Sequence, residues 1–169
     1  MIIITIDSKH PFNFVLSKFV CEAKKKQHCK MNQVKELNKF CADSMIGFLG
    51  INFFDINPTS IKATMPVSNK TSQPNGFLHG VASLVLAESL AGAGSYLLID
   101  RDKYNAFGLQ VSGNHISTCK SGILYADAQL IHKGNTTHVW EVRITDEEEK
   151  LISVVRVTNM VTKRMKKGN

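Results

Sequence analysis

The 169-residue sequence predicts an α+β domain in which a curved antiparallel sheet wraps around one long central helix. Three observations carry that expectation. The run Val81–Leu98 is apolar, rich in Ala and Leu and too long for one strand, so it is a helix. Strand-like runs stand on both sides of it. In "HVWEVRI", Trp140, Val142 and Ile144 share an apolar face while Val139, Glu141 and Arg143 share a mostly charged one, the period of a half-buried strand. A helix that is apolar nearly all round needs cover on most sides, and one curved sheet supplies it.

Along the chain, residues 1–30 differ from the rest, with a cluster at Lys24–Lys26 and little periodicity. They are expected to form a poorly ordered extension, with the domain at 31–162 and a basic tail at 163–169. "MNQVKELNKFCADSMIGFLG" has helical spacing through Val34, Leu37 and Phe40. "IGFLGINFFDI" and "SIKATMPV" read as strands around the turn Asn57–Ser60. Pro74, Asn75 and Gly76 mark a loop before the long helix. The strands "YNAFGLQVSGNHIS", "GILYADAQLIHKG", "THVWEVRITD" and "KLISVVRVTNMVT" come after it, joined by "CKSG", "KGN" and "DEEE".

The net charge of +7 does not indicate a nucleic-acid surface, because it is concentrated at the ends. Residues 1–30 carry +4, the tail Lys163–Lys167 carries +4, and the body is left at −1. No apolar run is read as long enough to span a bilayer, and the start lacks the basic region and cleavage site of a signal peptide. Cys21, Cys29, Cys41 and Cys119 match no zinc or redox spacing and read as free thiols in a reducing cytoplasm. The histidines show no metal-ligand spacing, so neither a metal nor another cofactor is expected.

The chemically informative stretch is "QPNGFLHGVASLVLAESLAGAG", Gln73 to Gly94. A helix this apolar carries one carboxylate, Glu88, which costs several kcal/mol to bury unless it is paired or solvated. One exposed helix stripe would explain it as well as a functional site. At the helix start, free backbone N–H groups near His79 and Gly80 favour negative charge and can hold a developing oxyanion. Capping explains His79, and turn chemistry explains Gly80, equally well one residue at a time. Gly80 and Glu88 are eight residues apart, roughly 12 Å along a helix. A base and an oxyanion donor must both reach one carbonyl, so a site using both needs two antiparallel copies of the helix.

At these residues the sequence resembles the hotdog-fold acyl-CoA thioesterases, in the branch with a glutamate on the central helix. That branch holds the 1,4-dihydroxy-2-naphthoyl-CoA hydrolases of menaquinone synthesis and the enterobactin-pathway proofreading thioesterases. The likeness covers about Val34 to Val161 and rests on "MIGFLGINF", "ATMPV", "QPNGFLHG", "LAESLAGAGSYL", "GLQVSGNH", "HKGN", "VWEVRI" and "RVT". Residues 1–30 have no counterpart in it.

The resemblance implies a cytoplasmic acyl-CoA thioesterase that assembles as a dimer of dimers, with each site shared between subunits. It has an acyl-CoA substrate and no nucleic-acid or membrane partner. Glu88 takes the place of the family's catalytic carboxylate, base or nucleophile toward the thioester, and the Gly80 N–H that of the oxyanion donor. Gln73 and His79 match residues that orient substrate and water. Gly108, His115, Ile116, Ser117 and Thr118 match positions lining the acyl-CoA site, as does the turn His132, Lys133, Gly134, Asn135, Thr136 and Thr137. Val81, Gly92, Ser117 and the Thr136–Thr137 pair depart from the family pattern, the last three positions by loss of basic residues. Lys120, Lys133 or the tail would then supply charge to the CoA phosphates. The alternative is a catalytically weak acyl-CoA-binding accessory module.

Overall fold

A computed structural model describes residues 30–164; residues 1–29 of the expected 1–30 extension and 165–169 of the tail lie outside them. Residues 30–41 form helix α1, and α2 spans Met45–Phe48. The strands are β1 (Asn52–Ile56), β2 (Ser60–Pro66), β3 (Tyr104–His115), β4 (Ile123–Lys133), β5 (Thr137–Thr145) and β6 (Leu151–Lys163). Between β2 and β3 runs α3 (Gly80–Leu98). The strands form one antiparallel sheet in the order β1-β2-β4-β5-β6-β3.

Alternation builds the sheet's inner face. Ile61, Ala63 and Met65 of β2, Leu124, Ala126 and Ala128 of β4, and Trp140, Val142 and Ile144 of β5 are all buried. The outer face carries the ion pairs Lys62–Asp127 and Arg156–Glu141, whose exposure makes each worth little. Small residues of α3 face the core, with Ala82, Ala87, Ala91 and Gly94 buried beside Leu86 and Leu90. A Cβ on Gly94 would lie 2.6 Å from the Trp140 ring, so only glycine admits the indole this close to the helix.

Behind that contact is a buried polar cluster. Ser95 Oγ accepts from Trp140 Nε1 at 2.9 Å and from Asn159 Nδ2 at 2.8 Å. Asn159 Nδ2 also donates to the Ala91 carbonyl at 2.8 Å. The cluster ties α3 to β5 and β6 and fixes the helix's rotation about its own axis.

The structure differs from the sequence expectation at several places. Ile46–Phe48 is helical rather than extended, because Ser44 Oγ accepts from the Ile46 N–H and caps α2; β1 begins only at Asn52. Leu37 and Cys41 are the buried residues of α1, whereas Phe40 lies outside the core and stacks on Tyr96. Lys30 lies in α1 and donates to Asn57 Oδ1, while Lys163 ends β6 opposite Tyr104. By length and composition α3 does meet the requirement for a bilayer span, contrary to the reading of the sequence. Its apolar character answers instead to the strands it packs against. Nor is it covered all round: Val81, Glu88 and Leu97 are exposed. Strand β3 at the sheet edge has no buried residue, and Phe107 and Leu109 stand open.

The buried polar groups lead to two expected outcomes. Ser95→Ala leaves the Trp140 N–H without its acceptor, so it is expected to cost about 1–3 kcal/mol in urea unfolding; an unchanged midpoint would mean the cluster contributes nothing. His138 is buried on the β5 core face, and burial, then the nearby Lys133 and His132, holds its pKa below the ordinary value. The unfolded chain therefore takes up that proton first as pH falls through about 6.5. Stability is present above that pH and lost as pH drops toward the lower folded value. His138→Asn should flatten part of the fall in Tm between about pH 7 and about pH 5, measured by thermal melts across that range.

Candidate active site

The loop before α3 is closed by its own backbone. Gln73 N–H donates to the Phe77 carbonyl at 2.7 Å, and Gly76 makes the turn at a φ of 82°. Gln73 Nε2 donates to the Leu78 carbonyl at 3.2 Å, which fixes the carboxamide beside His79. His79 is the N-cap, and its Nδ1 accepts the Val81 N–H at 3.1 Å. Capping thus consumes one ring nitrogen. Gly80 is the first helical residue, and among the described residues its N–H meets no acceptor. A free N–H at the positive end of a 19-residue helix is an anion-binding group.

His115 closes over this end. A Cβ on Gly80 would lie 2.6 Å from His115 Nε2, so the imidazole occupies the room that glycine leaves. His115 Nδ1 is 2.9 Å from Ser153 Oγ. The chain after β3 continues alongside: Ile116 and Ser117 both donate to the Ile152 carbonyl, at 2.8 and 3.2 Å. Leu78 N–H then reaches the Cys119 carbonyl at 2.8 Å, drawing Thr118 toward the loop. Lys120 lies over the Phe77 ring at 4.5 Å. The structure thus brings Gln73, His79, Gly80, His115, Ile116, Ser117 and Thr118 together at the start of α3.

Glu88 belongs to a second cluster. A Cβ on Gly108 would lie 2.3 Å from Glu88 Oε1, so the carboxylate rests against the bare backbone of β3. The strand is bulged there, with the register shifting between Gly108 and Gln110. Opposite Gly108 on β6 is Asn159, which pairs onward with His138 on β5. The turn His132, Lys133, Gly134, Asn135, Thr136 and Thr137 lies at that end of the sheet, closed by Gly134 N–H to the Thr137 carbonyl at 2.8 Å. The Thr136 carbonyl accepts from Val161 N–H at 2.7 Å. One chain therefore carries two separate clusters along β3, one at Gly108 and one at His115, and the helical spacing of Gly80 and Glu88 is roughly 12 Å. Among the described residues, no group of three or more His, Cys, Asp or Glu side chains is arranged to hold a metal.

Sequence pattern does not single out Ser153. It is the cross-strand partner of His115, a pairing that only the register between β3 and β6 reveals. The contact between Leu84 and Gly113, where a Cβ would meet Leu84 Cδ2 at 2.6 Å, is equally invisible to local pattern.

Residues 75–153 match the thioesterase superfamily model. A solved structure of a Pseudomonas aeruginosa thioesterase variant superposes with a TM-score of 0.76 at 40% identity, covering 78% of this chain and 94% of that one. The 1,4-dihydroxy-2-naphthoyl-CoA hydrolase of Listeria monocytogenes is 39% identical over 118 residues, 70% of this chain and 95% of its own. The Escherichia coli protein of the same name is 35% identical over 128 residues, 76% and 93% of the two chains. The chain belongs to the thioesterase superfamily. Its fold is the hotdog fold, and it is a thioester hydrolase.

The Gly108 contact makes a test. Gly108→Ala must move the Glu88 carboxylate, and because that is the end of a flexible side chain the fold can yield cheaply. The variant is expected to melt near wild type while losing roughly 10²-fold in kcat, as small misplacements do. Wild-type turnover would show that the observed position of Glu88 does not matter to the reaction.

Proposed function

We propose that the protein hydrolyses an aromatic or related acyl-CoA, such as 1,4-dihydroxy-2-naphthoyl-CoA, to the free acid and CoA. The observation that carries this is the splitting of the site: Glu88 with Gly108 in one cluster, the free Gly80 N–H with His115 in the other. Neither cluster is complete alone, and two-fold pairing completes both. The exposed edge of β3, with Phe107 54% and Leu109 59% accessible, offers backbone and apolar groups to a second copy.

In the pair, the thioester oxygen of the substrate accepts the Gly80 N–H of one subunit. Glu88 of the other acts on the carbonyl carbon, as base toward water or as nucleophile. Developing negative charge then lies at the start of α3, where the helix dipole stabilises it. Gln73 and His79 orient substrate and water; Gly108, His115, Ile116, Ser117 and Thr118 line the acyl-CoA site. The exposed turn His132–Thr137 meets the nucleotide, with Lys133 and Lys120 placed to attract its phosphates. The relatives named as 1,4-dihydroxy-2-naphthoyl-CoA hydrolases support the acyl group. On this reading the protein works in the cytoplasm, in menaquinone synthesis, as a dimer of dimers.

Complementation tests the shared site. Glu88→Gln keeps the shape and removes the base; Gly80→Ala drives a methyl into His115. Each variant alone should lose ~10²-fold or more in kcat on an aromatic acyl-CoA. Co-expressed, they should regain activity, because a mixed dimer holds one site with both intact groups. Mixed dimers that stay inactive, or a Glu88→Gln protein with normal turnover, would sink the reading. Wild-type binding without turnover on a panel of acyl-CoAs would favour the accessory-module alternative.

A further inference from the structure

We propose that Ser153 is a positioning residue of the thioester site, which holds the His115 ring so that its Nε2–H points at the same oxygen as the Gly80 N–H. The inference rests on the reading of Gly80 as the oxyanion donor.

Ser153 is wholly buried, and its side chain stands among apolar neighbours: Ile152 is buried beside it, Ile144 is its partner on β5, and Val155 comes next on the same face. A hydroxyl in such company is unfavourable unless hydrogen-bonded, and alanine or valine would pack there without that cost. Its partner is His115 Nδ1, at 2.9 Å. His115, by contrast, is the last residue of an edge strand and is exposed, so it is not a core residue. Two contacts hold its ring: Ser153 Oγ on one nitrogen, and on the other the bare Cα of Gly80, where a Cβ would come within 2.6 Å of Nε2.

The direction of the bond is set by what the hydroxyl lacks. Among the described residues Ser153 Oγ has no other partner. If it accepted from Nδ1–H, its own proton would be buried and unpaired. Donating to Nδ1 leaves no orphan donor, and the imidazole proton then sits on Nε2. That N–H and the Gly80 N–H form a pair of donors at the positive end of α3, the arrangement that stabilises a tetrahedral oxyanion. Ser153 itself touches no substrate; it selects the tautomer and ring orientation that make His115 a donor.

The test compares Ser153→Ala and Ser153→Thr with wild type, using benzoyl-CoA as the thioester, and follows the His115 imidazole by ¹⁵N NMR. Ser153→Ala should lose about 10-fold in kcat with KM changed less than about 2-fold, and the ¹⁵N shifts should move from an Nε2-protonated ring to a mixture of tautomers. Ser153→Thr keeps the hydroxyl and should restore both readouts. Ser153→Cys, near in size but a poor donor, replaces the alanine variant if that one fails to fold, with the same loss expected. Wild-type kcat and an unchanged tautomer in the hydroxyl-free variant overturn the proposal, as does a threonine variant as impaired as alanine. Glu88→Gln, measured alongside, separates the two levels. If it is dead while Ser153→Ala is normal, only the positioning role fails; if it turns over normally, the site reading falls and this proposal with it.

Discussion

Strand β3 lies unusually close to α3 because glycine faces a side chain at three places along their contact. His115 fills the space over Gly80, Leu84 reaches into that over Gly113, and Glu88 rests against Gly108. The exchange is reciprocal, since one glycine is on the helix and two are on the strand. A methyl group at any of the three would come within 2.6 Å of its neighbour. Both Gly80, at the start of α3, and Glu88, at its middle, are thereby pressed onto the same edge strand. The position of the carboxylate and the shape of the helix start are consequences of one packing interface, not separate features of two loops.

On its other side the helix is held by polar contacts. Ser95 accepts from both Trp140 and Asn159, and Asn159 also reaches the Ala91 carbonyl. An apolar contact between smooth surfaces would leave α3 free to roll. Directional hydrogen bonds inside a dry core set its rotation, because a misaligned bond there leaves a buried group unpaired. Glu88 stands three residues before Ala91 at the margin of that buried stripe, and its side chain is exposed in the single chain. The carboxylate is solvated in the single chain, so an apolar helix carries it at little cost.

Much of this is legible in the sequence. Period-2 alternation assigns β5 its two faces, and length and composition mark out α3. A lone carboxylate in an apolar helix points to Glu88, which lies on an exposed stripe of α3, and eight residues of helix separate it from Gly80. The illegible part depends on partners distant in sequence. Ser153 is unremarkable in "LISVVRV" until β6 is laid beside β3, and Phe40 fits the helical period but faces Tyr96 outside the core. Ile46–Phe48 reads as extended because its apolar run continues into β1, and the capping hydrogen bond of Ser44 decides otherwise. Local pattern fixes faces and periods; register and capping settle which of two compatible conformations wins.

On the proposed two-fold pairing, the two clusters also constrain the symmetry. If Gly80 of one helix is to face Glu88 of an antiparallel copy, the two-fold axis must cross α3 midway between them, at Leu84. If His115 is to face Gly108 across paired β3 edges, the axis must cross that strand midway as well, at Val111–Ser112. These positions come from separate elements, yet they adjoin in space, because Leu84 packs against Gly113, the next residue along β3. One axis can therefore serve the helix pair and the strand pair together. A chain with the same residues but a different helix-to-strand register would need two incompatible axes. The glycine contacts that bring β3 onto α3 thus also set the register on which a shared site depends.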